Sequence, residues 1–449
     1  MIRIANGQGF WGDSVDAPSE LLRLQPDLDY LTLDYLAEVS MSIMASQRER
    51  NPQLGYARDF VDVVKSLAPH WQAGCKTRVI SNGGGLDPVA CAKACMAVLR
   101  EAGLPHMRVG VVLGDDVLDL LRSHPDWNSF AHMESGEPLE TILPRLVTAN
   151  AYIGSSPIAD ALQLGADIVV TGRTADPCLA AACAMHHFHW DIGDYDRMAG
   201  ALIAGHVLEC GAQATGGIST HWLELADPAG IGFPVVEVES DGAFVVTKPE
   251  GTGGAVTLET VKEQLLYEMG DPGNFLTPDA TVSILGLALE ESGPNRIHVS
   301  GAKGRAPTDS YKVSATYRDG WRASGTLTVF GRDAAAKAKR CGEIVLERLR
   351  RSGYELERTL IECLGTGACA PGVLAEAECL ETVLRLSVAD SRKEAVERFS
   401  KELMPLVTSG PQGVTGYAGG RPKVSPVFGY WPCLVDKSLV AATARLVDA

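Results

Sequence analysis

The chain has 449 residues, 46% hydrophobic and 21% charged, with 56 acidic against 40 basic side chains and a formal charge of −16. Such a length exceeds the ~250–300 residues that one core serves, so two or three domains are expected. The acidity argues against general binding to nucleic acid or an anionic membrane surface. No apolar run approaches the ~18 residues of a membrane span.

The opening Ile2–Gly7 reads as a strand entering a turn, not as a secretory leader. Up to Ala226, short β-branched runs alternate with helical stretches, the pattern of a parallel, Rossmann-like α/β domain over 1–226. The expected strands are Tyr30–Leu33, Arg78–Ser81, Arg108–Leu113, Ala151–Gly154 and Asp167–Thr171. The expected helices are Leu36–Ala45, Tyr56–Leu67, Pro88–Glu101, Asp115–Ser123, Ile158–Leu164 and Asp176–His186. A connecting region over 227–308 carries a hairpin about Ser240-Asp241-Gly242, a helix at Leu258–Met269, a strand at Thr281–Glu290 and a loop at Ser300–Pro307. From 309 to 449 a smaller α+β module, ferredoxin-like in pattern, is expected. It begins with a hairpin turning at Asp319-Gly320 and continues with the amphipathic helix Arg332–Arg351. Strands at Leu356–Cys363 and Thr382–Val388 and a helix at Arg392–Leu403 follow. Ser409–Pro426 is too rich in Gly and Pro for regular structure, and the aromatic Val427–Val435 is expected to wrap over a domain or a neighbouring subunit of a homo-oligomer.

Eleven cysteines with no CxxC pair predict reduced thiols and a cytoplasmic location. No zinc spacing is present in the sequence, and neither glycine loop makes a convincing cofactor site. Gly7-x-Gly9-x-x-Gly12 matches a dinucleotide pattern in form, yet Phe10-Trp11 stands where a pyrophosphate needs close backbone approach. No cofactor is therefore expected, with Mg²⁺ at Asp34 and Glu38 kept as an alternative to proton sharing or helix capping.

Ligands of open α/β sheets bind at the carboxyl ends of strands. Asn6, Asp34 with Glu38, Asn82 with Gly84 and Gly85, and Arg173 with Asp176 all follow expected strands. Three glycines after Asn82 suit a close ligand approach. Arg173 can clasp an anion or pair with Asp176, which is also placed to cap the helix beginning at Pro177. Lys248 with Thr252 and Gly253 lies before a helix and could hold an anion or form an ordinary turn. The richest segment is Gly200–Gly217. If helical throughout, it sets His206, Glu209, Cys210 and Gln213 on one face, followed by Thr215, Gly216 and Gly217. That face either lines an active-site cleft or is buried and satisfied by neighbours.

These motifs resemble the acyclic terpene utilisation protein A family. The resemblance rests on Asn6–Asp13, Leu33–Glu38, Asn82–Gly85, Gly172–Pro177, Gly205–Gln213 and Thr215–Gly217, and spans Met1 to Val435. It implies a bacterial catabolic role beside enzymes handling branched acyl-CoA thioesters. It also suggests a small partner protein or a fused C-terminal domain, as in some relatives; any partner this chain needs is expected to be a separate protein.

Together the residues and the resemblance lead to the expectation of a lyase, a hydratase or dehydratase, acting on an acyl-CoA or a related hydroxy or unsaturated acid. Glu209 and His206 share acid/base work, Asn82 and Gln213 hold the carbonyl or water, Arg173 binds an anionic group, and Cys210 forms a pocket wall. An isomerase or C–C lyase using the same enolate logic, and a non-catalytic acyl-CoA-binding scaffold, stay open. A CoA handle is expected on Lys248, Lys303, Arg305, Arg421 and Lys423, across a cleft between domains.

Overall fold

The computed structural model describes residues 1–374, 378–416 and 419–448. Two compact units emerge, one of 1–316 with 430–449 and one of 317–429. These limits differ from divisions at 226 and 309 because strands from 227–308 complete the first unit's sheet.

That ten-stranded mixed sheet begins with β1 (Ile2–Asn6), β2 (Tyr30–Leu33), β3 (Arg78–Ser81) and β4 (Val109–Leu113). After β5 (Leu146–Ala151) comes β6 (Ile168–Thr171), and then β7 (Val235–Val238) and β8 (Phe244–Thr247). Strands β1, β2, β3, β6 and β4 lie in that order and are parallel. Antiparallel strands flank them, so the sheet is mixed where an all-parallel one was expected.

The helices between them are α1 (Ala17–Leu24), α2 (Ser40–Arg50), α3 (Arg58–Gln72), α4 (Pro88–Glu101), α5 (Leu118–Ser123), α6 (Ser156–Gln163), α7 (Cys178–Phe188) and α8 (Tyr195–Glu209). Because β1 to β3 are fully or nearly fully buried, their side chains need not alternate polar and apolar. Leu31, Leu33, Phe60, Val64, Val79 and Cys95 build the core between this sheet and its helices.

Several expected elements are redrawn. The strand near Ala151–Gly154 is instead β5, which pairs outside the main sheet; beyond it only Ile153 makes a bridge, to Thr174. After α9 (Leu258–Leu266) and β9 (Phe275–Leu276), the expected strand 281–290 breaks into β10 (Thr281–Ser283) and β11 (Ala288–Gly293). They belong to different sheets: β10 joins β9 and β13 (Lys303–Arg305), whereas β11 pairs with β12 (Arg296–Ser300) at the edge of the large sheet. The loop expected at 300–307 thus contains a strand.

The hairpin expected at Asp319-Gly320 does not form. The chain runs through as one strand, β14 (Ser310–Phe330), with Gly320 at φ +84°. A Cβ on Gly320 would stand 2.6 Å from the Asp390 carbonyl oxygen, so the glycine permits close strand pairing where the dipeptide signalled a turn.

In the second unit β14 continues into α10 (Ala334–Arg351), β15 (Arg358–Leu364), β16 (Glu381–Asp390), α11 (Lys393–Phe399), α12 (Leu406–Ser409) and β17 (Val414–Thr415). The strands order β15-β16-β14-β17, antiparallel throughout. Leu327, Val345, Leu386 and Phe399 form its core. Tyr417 and Ala418, within the stretch expected to be irregular, lie outside the described residues.

The chain returns to the first unit along β18 (Ser425–Asp436), so Val427–Val435 is strand. There Trp431 is buried and its Nε1 donates to the Phe130 carbonyl at 3.0 Å, an intramolecular clasp. Last comes β19 (Thr443–Leu446), antiparallel to β4 at the sheet edge. No described helix is long and apolar enough to cross a membrane.

Candidate active site

A cleft of about 470 Å³ opens at the carboxyl ends of the parallel strands. Asp34 leaves the end of β2, and Glu209 and Cys210 end α8. Asp13, Glu38, Asp176 and Glu268 add four further carboxylates to the lining, which among the described residues contains no lysine or arginine. All the lining residues belong to the first unit, so this cleft does not draw on the second.

The segment 200–217 is not one helix. It ends at Glu209, Cys210 is the cap, and Gly211 turns the chain at φ +58° into a 3₁₀ turn over Gly211–Thr215. Gln213 therefore does not share a helix face with His206, yet the turn brings it back to the cleft beside Glu209 and Cys210. Thr215 is buried, and its hydroxyl donates to the Ala212 and Gly232 carbonyls, fastening the turn. Gly216 follows in the left-handed region and Gly217 reaches the lining.

Glu209 is the pivotal group. Its Oε1 meets His206 Nδ1 at 2.9 Å, while its Oε2 is buried without a partner. Burial pushes the Glu209 carboxyl up to about 7, even against the pull of His206. His206 is only 2% exposed and stands behind Glu209, outside the cleft lining. Burial opposes its protonation, but the neighbouring Glu209 charge and hydrogen bond hold its pKa above the usual imidazole value. The Gln264 amide donates to the His206 backbone carbonyl at 2.9 Å. Phe275 lies 5.3 Å from the imidazole, ring centre to ring centre.

Asn6 does not reach the lining. Its amide donates to the carbonyls of Leu208 and Glu209, at 2.7 and 3.1 Å, satisfying the end of α8. Cys210 faces the cleft as a neutral thiol, because burial and the Glu209 charge push its pKa to about 12.

Opposite lies a second acidic group. Asp34 Oδ1 accepts from Asn82 Nδ2 at 2.6 Å and from the Leu36 backbone N–H at 3.0 Å. Asn82 also accepts the Tyr35 N–H at 2.7 Å, so its amide is spent on holding Asp34. Gly84 is needed for packing: a Cβ would lie 2.5 Å from the Thr171 carbonyl oxygen. Gly85, at φ +51°, packs against Met44. Glu38 stands in the loop before α2, not within a helix, and accepts from Tyr152 Oη at 3.4 Å. Among the described residues no group of three or more His, Cys, Asp or Glu is arranged to hold a metal ion.

Arg173 is buried behind this wall. It donates to the Leu36 carbonyl and to Asp176 Oδ1 at 2.6 Å, and its guanidinium lies 4.1 Å over the Tyr152 ring. Asp176 does not cap α7, because Pro177 takes that position and the carboxylate turns to Arg173. Burial, and then the charge of Asp176, raise Asp34 well above the ordinary carboxylate range, against the pull of Arg173. Burial also raises Asp176, despite Arg173 beside it. Two carboxyls with one guanidinium between them thus hold a proton readily.

The expected anion groups sit elsewhere. Lys248 is buried and donates to the carbonyl and hydroxyl of Thr252, at 2.6 and 3.0 Å. A Cβ on Gly253 would strike Asp227. Lys303 pairs with Asp196 at 2.8 Å, and Arg305 donates to Asn274. Lys423 faces a separate hollow of the second unit with Arg322 and Arg358, and Arg421 is exposed.

Asp13, Tyr267 and Glu268 were not anticipated. Asp13 was legible as the last residue of the Asn6–Asp13 motif; its Oδ2 accepts the Gly9 N–H at 2.9 Å. Tyr267 and Glu268 follow α9 and carry no local signal, although Glu268 has a positive φ of 57°.

Comparison with protein families matches residues 2–446 to the model described as "Acyclic terpene utilisation family protein AtuA". Comparison with curated proteins finds no match. Among solved structures, a homoserine dehydrogenase from Thiobacillus denitrificans is 10% identical, with 92% of this chain and 84% of that one covered. Its TM-score of 0.15 carries no argument about fold or function.

Proposed function

Starting from the chain's membership of the AtuA family of acyclic terpene utilisation proteins, we propose that the cleft is the active site of a catabolic lyase. The proposed reaction adds water to, or removes it from, a small unsaturated or hydroxylated acyl compound. The observation that carries this reading is Glu209: a cleft-lining carboxyl poised near neutrality, with one oxygen on His206 and the other unpartnered. A group with its pKa near working pH can both take and return a proton, which water addition and removal require.

In this reading Glu209 exchanges the proton with water or the substrate hydroxyl. His206 is a positioning residue that orients the carboxyl from behind. Asp34, held by Asn82, is the second proton-bearing group and serves the carbon centre. Gln213 offers an amide to the substrate carbonyl, and Cys210 is wall. Arg173 acts on Asp34 and Asp176 and not on a substrate anion, since its Nη1 is committed within the protein. With six carboxylates in the lining, the part of the substrate that enters is uncharged; in a CoA thioester that part is the acyl group, with the phosphates outside.

The test is turnover of candidate acyl thioesters and hydroxy acids in ¹⁸O-labelled water. Label in the hydroxyl compound, gained by hydration or by the reverse of dehydration, supports this reading, and its absence from substrate and product in an active preparation moves the reaction to isomerisation or C–C cleavage. Glu209→Gln should lower turnover by ~10²–10⁴ with the fold intact. Unchanged turnover removes Glu209 from the chemistry.

A further inference from the structure

A second cavity, of about 440 Å³, lies against α4 and the terminal strand β19 and shares no lining residue with the acidic cleft. Helix α4 presents Val89, Lys93, Met96 and Arg100, spaced four, three and four residues apart and hence along one side of the helix. Arg445 and Val447, two apart at the end of the chain, face the same cavity. Met96 is buried and Val447 half-buried against the main core, so the floor is apolar.

Above that floor Lys93, Arg100 and Arg445 converge from two elements. Among the described residues none of the three side chains has a hydrogen-bonding or ionic partner. Among the described residues Asp448 is the one carboxylate of the lining, against three cations, in a chain of net charge −16. Three cations gathered over a low-polarity surface repel one another and focus a positive potential, which an anion with several oxygens relieves. Arginine forks match phosphate oxygens in pairs, and the apolar floor suits an uncharged organic portion.

We infer that this groove is a binding site for a phosphorylated organic ligand of the nucleoside-diphosphate class, with the phosphates on Lys93, Arg100 and Arg445 and the organic part over Val89, Met96 and Val447. The inference is independent of the reaction proposed for the cleft.

Titration of the full chain with ADP, pyrophosphate and adenosine, followed by calorimetry at low and physiological salt, tests it. ADP should bind best, pyrophosphate more weakly and adenosine not measurably, and ADP binding should weaken as salt rises. In the double variant Lys93→Glu with Arg445→Glu, ADP affinity should fall roughly tenfold or more. Lys93→Gln with Arg445→Gln provides a gentler variant, and circular dichroism checks the fold of both. Glu209→Gln should leave ADP binding unchanged.

The absence of ADP binding at low salt, or binding indifferent to both double variants, overturns the inference. So does its loss in Glu209→Gln, which would put the ligand in the cleft. Equal affinity for pyrophosphate and ADP overturns the role given to the apolar floor.

Discussion

Gly9 and Cys210 are packed backbone to backbone: a Cβ on Gly9 would lie 2.7 Å from the Cys210 carbonyl carbon and 3.0 Å from its oxygen. The glycine loop after β1 is therefore shaped by the end of α8, the same point at which Glu209 enters the cleft. This explains the loop's glycine without any bound nucleotide.

Gly9→Ala should overpack this contact, since the obstruction is main chain and cannot rotate away. A loss of about 1–3 kcal/mol in denaturant unfolding is expected. Wild-type stability would mean that the loop moves freely from α8.

Stability should fall as pH rises from about 4.5 through 7. Glu209 titrates near 7 in the folded chain, so between its unfolded and folded pKa the native state holds the extra proton, and that advantage disappears above 7. The raised His206, Asp34 and Asp176 values act in the same direction. Urea titrations from pH 4.5 to 8 should show the decline, with a shallower slope in Glu209→Gln. An equal slope in the variant would place the proton elsewhere.

Arg173→Met should be among the costliest single changes, at about 3–5 kcal/mol near pH 7, because it strands carboxylates built around a buried guanidinium. The deficit should be smaller at pH 5 than at pH 7, because burial already raises both carboxyls and losing the guanidinium lets them take up protons more readily. Unfolding curves at the two pH values measure this. A deficit that does not change with pH would assign Arg173 a packing role only.

Cys210 should resist alkylation at pH 8, with its thiol pKa pushed to about 12, whereas exposed Cys369 should react readily. Peptide mass spectrometry after a short iodoacetamide pulse gives the order. Faster labelling at Cys210 would reveal an activated thiol and make it a candidate nucleophile.

Local patterns were enough for some elements and not others. β2, β3 and α4 follow the residues expected of them because β-branched runs meet clear stops, and Asp87 caps α4 by accepting the Ala90 N–H at 2.9 Å. The helix end at Glu209 was not anticipated, since Gly200–Gly217 reads as one helix, although Gly211, one residue past the cap, is where a left-handed stop is usual. β14 was not, since pairing with β16 overrides the Asp319-Gly320 turn signal. In the site, Glu209, Cys210, Gln213, Asp34, Glu38 and Asp176 could be picked out beforehand and do line one cleft. Their supports could not. That Asn82 serves Asp34, or that Lys248 serves Thr252, depends on which side chain a polar group meets after folding, and spacing along the chain carries no record of it.

The Asn6 amide reaches the Leu208 carbonyl across 202 positions of sequence. No stretch of the nascent chain can make that contact until the first strand and the eighth helix both exist, and loop closure over such a span is a slow step. The pocket around Glu209 thus depends on a contact between parts of the chain far apart in sequence. Destabilising the amino-terminal strand, which is paired on both sides within the sheet, should therefore weaken the pocket together with the sheet.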